Sequence, residues 1–263
     1  MSQALLRRRA LLLDELHQIV TAMRNMSVAA LQRLGKAAEV EQEALRLLTQ
    51  ALADMNTVLP PVSGAGICLV IGSERGFCGG FNSRIAEFSK RHAAEHPGLH
   101  FYAAGSRLVP LLENEWPQLN VLNGCADMED ASSTVSGWLS AVLPSEHNWP
   151  PLTLIYHDDG GVKARSLLPL PPLPKPGHGP APLRYLDAAP LMAGFVSEWL
   201  RLSLLNTLTT SLTTEHHWRL NQMQRADRYL EEAGIKLRGR MQRQRQNEIT
   251  VELENLMSAL DVG

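Results

Sequence analysis

Residues 67–88 read ICLVIGSERGFCGGFNSRIAEF. An unbroken apolar run at 67–71 has the make-up of a buried strand, and SRIAEF opens an amphipathic helix. Between them, SERGFCGGFN at 73–82 brings three glycines and a cysteine to a strand-to-helix turn. Phosphate sites and some thiol enzymes begin this way, so the loop is the first candidate for chemistry and the first clue to the fold.

Downstream, short apolar runs recur at 99–103 (LHFYA), 119–122 (LNVL) and 152–156 (LTLIY), separated by helix-compatible stretches near 83–95, 105–115 and 129–143. That alternation implies βαβ units on a largely parallel sheet. A fifth strand, VKARSLL at 162–168, follows the turn HDDGG and pairs beside its predecessor. The span 64–168 is therefore expected to be a Rossmann-like α/β domain. LPLPPLPKPGHGPAP at 168–182 is a stiff extended connector, which reaches to about residue 189.

The flanks differ in character. From residue 3 to 57 there is no proline, and Leu12, Leu16, Ile19, Met23, Met26, Ala30 and Leu34 recur in steps of four and three, the spacing of a helix that supercoils on a partner. A helix over 1–58 at ~1.5 Å per residue is over 80 Å long, more than a compact domain of this size covers. After Pro190 the chain is again helix-compatible, with a second stripe at Leu204, Leu208, Leu212, Met223, Ala226, Leu230, Ala233, Leu237 and Met241. The implied fold class is α/β: a long antiparallel coiled coil of N- and C-terminal helices (1–58 and 190–263) with the parallel-sheet domain inserted. Such a helix pair exposes apolar surface and calls for a socket in a partner.

Composition narrows the function. The chain has 263 residues and a net charge of −2, against a surface built as a whole for nucleic acid. Cys68, Cys78 and Cys125 form no CxxC, which disfavours a disulfide framework or a zinc site. No window approaches the roughly 20 apolar residues needed to cross a bilayer, and the opening MSQALLRRRALLLDELHQ is cut short by Asp14 and Glu15, so it reads as a helix and not as a signal peptide.

Chemical readings of the loop fail one after another. Gly76, Gly79 and Gly80 do not make GxGxxG, and no Lys-Ser or Lys-Thr closes a P-loop. Cys78 and Arg84 have the C-x5-R spacing of thiol phosphatases, but six residues separate Ile71 from Cys78 where that architecture needs the thiol near the strand end. None of the nine histidines forms a recognisable pair with Cys78. The favoured reading makes Cys78 a small buried residue and Gly76, Gly79, Gly80 and Asn82 the frame of a structural loop. For metals, Asp158 and Asp159 read as a hairpin turn, and His216 and His217 point in different directions on a helix, so no metal or catalytic residue is expected. A basic coiled coil binding nucleic acid through 236–245 is the other rival.

Three separated segments together resemble the gamma subunit of F-type ATP synthases. IVTAMRNM at 19–26 is similar to that family's Ile-Thr-x-Ala-Met helix motif, with Val20 where threonine is usual; SERGFCGGFN is close to its Ser-Asp-Arg-Gly-Leu-Cys-Gly-Gly-x-Asn; and RQNEITVELENLMSAL at 245–260 matches Ile-Thr-x-Glu-Leu preceded by Arg-Gln at Arg245, Gln246, Ile249, Thr250, Glu252 and Leu253. Glu215, Arg219 and Met223 fall in step with the family's Ser-Glu-x-x-x-Arg-x-x-x-Met. Asn255, Ala259, Tyr229, Gln242 and the proline-rich connector depart from the family pattern and point to a divergent or alternative F-type ATPase lineage.

The resemblance implies a non-catalytic rotor shaft, one copy per complex. Its helices would stand inside a hexamer of alpha and beta subunits, with the α/β domain on the epsilon subunit and the membrane c-ring, at the cytoplasmic face of a bacterial inner membrane. It implies no directly bound cofactor, since ATP, ADP and magnesium sit on the alpha and beta subunits. Rotor–stator contacts are expected at Met23, Arg24, Arg75, Arg240, Arg243, Arg245, Gln246, Thr250 and Glu252, and coiled-coil packing at Ile19, Ala22, Glu215, Arg219, Met223, Ile249 and Leu253. Lys236, Arg238, Arg240, Arg243 and Arg245 form a cationic run without an acid, suited to polar loops of beta subunits.

Overall fold

The structure, a computed structural model, describes residues 3–55, 58–116, 118–143, 149–177, 185 and 187–260. Much of the connector reading, at 178–184 and 186, lies outside them. Helix α1 runs Gln3–Asp54 and helix α5 runs Ala188–Leu260, with Pro190 in its first turn, where a missing N–H breaks no helical bond. Between them come β1 (Ile67–Ile71), α2 (Phe81–Glu95), β2 (His100–Ala104), α3 (Val109–Leu112), β3 (Asn120–Leu122), α4 (Ala131–Val142), β4 (Leu152–Asp158) and β5 (Gly161–Leu168). By its internal contacts the chain divides into two units, residues 27–219 and residues 1–26 with 220–263.

In the larger unit the five strands lie in the order β3-β2-β1-β4-β5. β1 pairs in parallel with both β2 and β4, placing Val70 between Ala103 and Ile155, and β5 returns antiparallel on β4. This is the Rossmann-like sheet with an antiparallel edge. The apolar run ICLVI is unbroken because both faces of β1 are covered. Ile67, Leu69 and Ile71 face a core shared with Trp138 of α4, Leu34 and Leu52 of α1, and Val196, Trp199 and Leu200 of α5. Cys68 and Val70 face the other core, with Phe81 and Ile85 of α2 and Leu108 and Leu112 around α3. The strand period of two sorts the side chains between the layers.

The expected helix over 105–115 shrinks to Val109–Leu112. Gly105 has φ +114°, and a Cβ there would lie 2.7 Å from the Gly72 carbonyl, so the chain after β2 turns hard against the end of β1 before a helix can start. Within this unit α1 and α5 run antiparallel: Thr209 Oγ1 donates to Glu41 Oε1 (3.0 Å) and Trp199 Nε1 to Thr49 Oγ1 (3.0 Å).

In the smaller unit the same two helices are again antiparallel. Arg24 and His17 both reach Asp227, at 3.0 and 3.1 Å, and Arg9, Leu12 and Leu13 line a cleft with Tyr229, Ala233, Lys236, Leu237 and Arg240. On α5 the seam holds Met223, Leu230 and Leu237, all buried, with Ala226, Ala233 and Met241 half-buried. On α1 the seam is displaced by one residue from the expected stripe. Leu6, Ala10, Leu13, Val20 and Arg24 turn inward, while Leu12, Leu16, Ile19 and Met26 are exposed and Ala22 faces solvent with them. Ile19 and Ala22 are therefore not seam residues. Both rows have steps of four and three, and the row carrying His17 and Arg24 is the one drawn to Asp227.

Ile249 and Leu253, also expected to pack in the seam, are exposed. Stepping equally along both helices from the Arg24–Asp227 pair brings Gln3 level with Glu248, so α5 outlasts the described part of α1.

Candidate functional site

The loop 73–82 closes on itself before it touches anything else. Ser73 N–H donates to Asn82 Oδ1 (3.0 Å) and Asn82 Nδ2 to Ser73 Oγ (2.7 Å), while Cys78 Sγ lies 3.4 Å from Ser73 Oγ. Gly79 takes φ +59°, the left-handed geometry that makes glycine the suitable residue there. Gly76 and Gly80 have room for a side chain, so they are not required by packing in this chain.

Cys78 is buried in the core with Phe81 and Ile85, and burial pushes its thiol up from the ordinary range. A protonated, enclosed thiol is a poor nucleophile. Arg84 points elsewhere: it is exposed, with its guanidinium 4.9 Å above the Trp218 ring. The Cys-x5-Arg phosphatase reading fails on this geometry.

Arg219, on α5, holds the loop from outside. Its Nε donates to the Gly76 carbonyl (3.1 Å), its Nη2 to the Arg75 carbonyl (3.3 Å) and to Glu215, and Nη1 sits 3.3 Å from His216 Nδ1. Glu215 and Arg219 were expected in coiled-coil packing. Four residues apart, they share the helix face that meets the loop, and they clamp it. Burial raises the Glu215 carboxyl to about 7 even beside Arg219, and burial followed by the Arg219 charge lowers His216 to about 4.

The rim of the loop is polar and half-open. Arg75 spans to Asp127 at 2.7 Å with about half its side chain exposed, and Ser106 N–H donates to Glu74 Oε2 (3.0 Å). At the tip Phe77 is 68% exposed with φ +63°, an uncommon backbone state for a bulky residue. In the sequence, Phe77 is marked only as an aromatic between Gly76 and Cys78.

The second candidate surface lies on the smaller unit. Lys236, Arg238, Arg240, Arg243 and Arg245 are all exposed, and among the described residues none is ion-paired. Arg243 Nε merely donates to the Gly239 carbonyl of its own helix (3.3 Å). Gln246, Thr250 and Glu252 are exposed beyond them, with Thr250 Oγ1 donating to the Gln246 carbonyl (3.0 Å). Met23 is half-buried, and Arg24 is engaged with Asp227 instead of standing free.

The sequence model of the ATP synthase family matches residues 2–261. Curated ATP synthase gamma chains align along almost the whole length: that of Rhizobium rhizogenes is 24% identical over 93% of both chains, and that of a Methylobacterium species 26% identical over 97% of both. The chain belongs to the ATP synthase gamma family. A solved chain from the Euglena gracilis mitochondrial ATP synthase shares the fold of this gamma chain, with a TM-score of 0.64 and 15% identity over 99% of this chain and 94% of the other. A second Euglena gracilis chain with the same fold, 14% identical over 94% of this chain with a TM-score of 0.62, is the rotor of that enzyme, and the basic stretch 236–245 lies inside the residues that the family model matches. Among the described residues no helix is long and apolar enough to cross a membrane.

Proposed function

We propose that this gamma chain is a non-catalytic shaft that works through contacts with alpha and beta subunits around its helix pair, and with the epsilon subunit and the c-ring. Nucleotide and magnesium bind to the alpha and beta subunits, and the assembly sits at the cytoplasmic face of a bacterial inner membrane. One observation carries the reading. Leu5, Leu12, Ile19 and Met26 stand at seven-residue steps on α1, each between 42% and 60% exposed, one position off the row that turns inward, with Leu12 also lining the cleft toward α5. A helix pair with a spare heptad row asks for a third apolar surface.

That row and the exposed cations of α5 give the surface of the smaller unit chemically different parts, which meet where Leu12 shares a cleft with Lys236 and Arg240. A shaft whose sides differ presents a different face to each of three surrounding beta subunits at any angle, so turning it shifts their conformations and nucleotide affinities. Arg240, Arg243, Arg245, Gln246, Thr250 and Glu252 supply contacts that exchange during rotation, while Met23 lies beside the seam, Arg24 is held in it by Asp227 and Arg75 edges the loop. In this role charge and hydrogen bonds can be traded between partners, whereas a continuous greasy contact would hold one angle.

The test is co-expression with the cognate alpha and beta subunits. With Leu5→Gln and Ile19→Gln together, the isolated chain keeps its helicity, because both residues are exposed and neither lines the cleft between the helices, and the yield of the alpha–beta–gamma complex falls at least ~tenfold. Undiminished yield would remove the apolar row from the interface. A Met23→Lys chain still assembles but lowers the ratio of ions pumped to ATP hydrolysed, and an unchanged ratio contradicts the placement of Met23.

A further inference from the structure

At the end of α2 that is farther from the loop, three potential ligands converge. His92, Glu95 and His96 place one ligand atom each within 4.8 Å of one another, and among the described residues no other such cluster forms. Positions i, i+3 and i+4 share one face of a helix, so a cation can bridge them without any backbone change. Glu95 is the last residue of α2 and His96 its C-cap. The site thus lies at the negative end of the helix dipole, where positive charge is favoured.

We propose that His92, Glu95 and His96 bind a late first-row divalent cation, of which Zn2+ is the natural probe. Two imidazoles and a carboxylate suit this class, while Mg2+ and Ca2+ prefer all-oxygen shells. One ring nitrogen of His96 is already engaged, which leaves the other as its ligand atom. Its Nδ1 lies 3.1 Å from the His92 carbonyl, which can only accept, so Nδ1 carries the proton and Nε2 keeps its lone pair. The backbone N–H of His96 donates to the same carbonyl at 3.0 Å. A metal-bound histidine commonly has its other ring nitrogen held this way.

The two rings lie 4.2 Å apart, and the His92 ring stacks on Phe88, with centroids 6.2 Å apart. Three protein ligands leave the remaining positions to water, so the site is a surface chelate and not a closed structural one. Its occupancy would pin the last turn of α2 just before Pro97 and Gly98 lead the chain into β2.

The experiment is calorimetric titration of the untagged full chain with ZnCl2 in a non-chelating buffer. One equivalent binds saturably, His96→Gln weakens the affinity at least tenfold, and Glu95→Gln weakens it by a smaller factor. His96 is exposed, so its variant folds as the parent does, which far-ultraviolet circular dichroism checks. A second reading uses Co2+, whose visible absorption reports nitrogen and oxygen ligation in the parent and collapses in the variant. No saturable binding by the parent chain, or equal affinity in the parent and His96→Gln chains, overturns the site.

Discussion

Arg219 and Arg243 stand on the same helix and meet opposite fates. Arg219 is enclosed, bonded to two loop carbonyls and a buried carboxylate; Arg243 lies open with only a carbonyl of its own helix for company. Both are cations on one helix, and only the surroundings tell which one holds the fold together and which stands open. Burial turns charge into a structural obligation, because a guanidinium out of water must have every partner it can find. Exposure makes the same charge nearly irrelevant to stability.

The sharpest way to break that contrast is Arg219→Leu. It leaves Glu215 buried without its cation and frees the carbonyls of Arg75 and Gly76, so the chain is expected to lose about 3–5 kcal/mol in urea unfolding. The loop should become protease-sensitive first. A loss below about 1 kcal/mol would mean that the clamp is ornamental and that the loop closes through Ser73 and Asn82 alone.

Much of this molecule could be read from sequence, and the failures share one cause. ICLVI gave away its strand because period and composition are local, and the loop revealed itself as structural because every catalytic template needs spacings it lacks. The contact between Arg219 and the loop could not be read, since it joins residues far apart in the chain and neither carries a local mark of it. The seam on α1 was missed for a subtler reason. Two neighbouring rows satisfy the coiled-coil step, and the greasier one was the natural choice, yet Asp227 selects the row with His17 and Arg24. The displaced row is the one the fold leaves exposed. His92, Glu95 and His96 were legible as i, i+3 and i+4 within RHAAEH, but exposure and ring orientation had to come from the structure.

A subtler probe of the enclosed side is pH. Glu215 holds its proton to about pH 7 when folded but releases it near 4.5 when unfolded, so it contributes stability that is present at low pH and lost as pH rises from 4.5 to 7. His216 does the reverse: charged near 6.5 and below when unfolded, but only below about 4 when folded, it costs stability in acid and adds it back as pH rises. Across pH 4.5–6.5 the two slopes oppose, and the parent chain is expected to show little net change from this pair. Glu215→Gln removes one slope, so the stability difference between variant and parent should move by about 2 kcal/mol in the variant's favour from pH 4.5 to 6.5. Parallel curves would show that Glu215 is charged throughout.

The smallest expected effect on stability belongs to the open side, and it is also the most discriminating. Arg240→Ala with Arg243→Ala removes two exposed cations that no described carboxylate pairs, so unfolding of the isolated chain should shift by no more than about 0.5 kcal/mol. If the pair serves contacts exchanged during rotation, the same substitutions should lower ATP-driven ion pumping per ATP hydrolysed in the assembled complex several-fold, and raised salt should reproduce part of that loss in the parent. A chain destabilised by these changes would mean that the cations serve the fold of the helix pair. A chain stable and fully coupled would leave the work to the apolar row of α1, because that row is the other exposed feature that sets one part of the helix pair's surface apart from the rest.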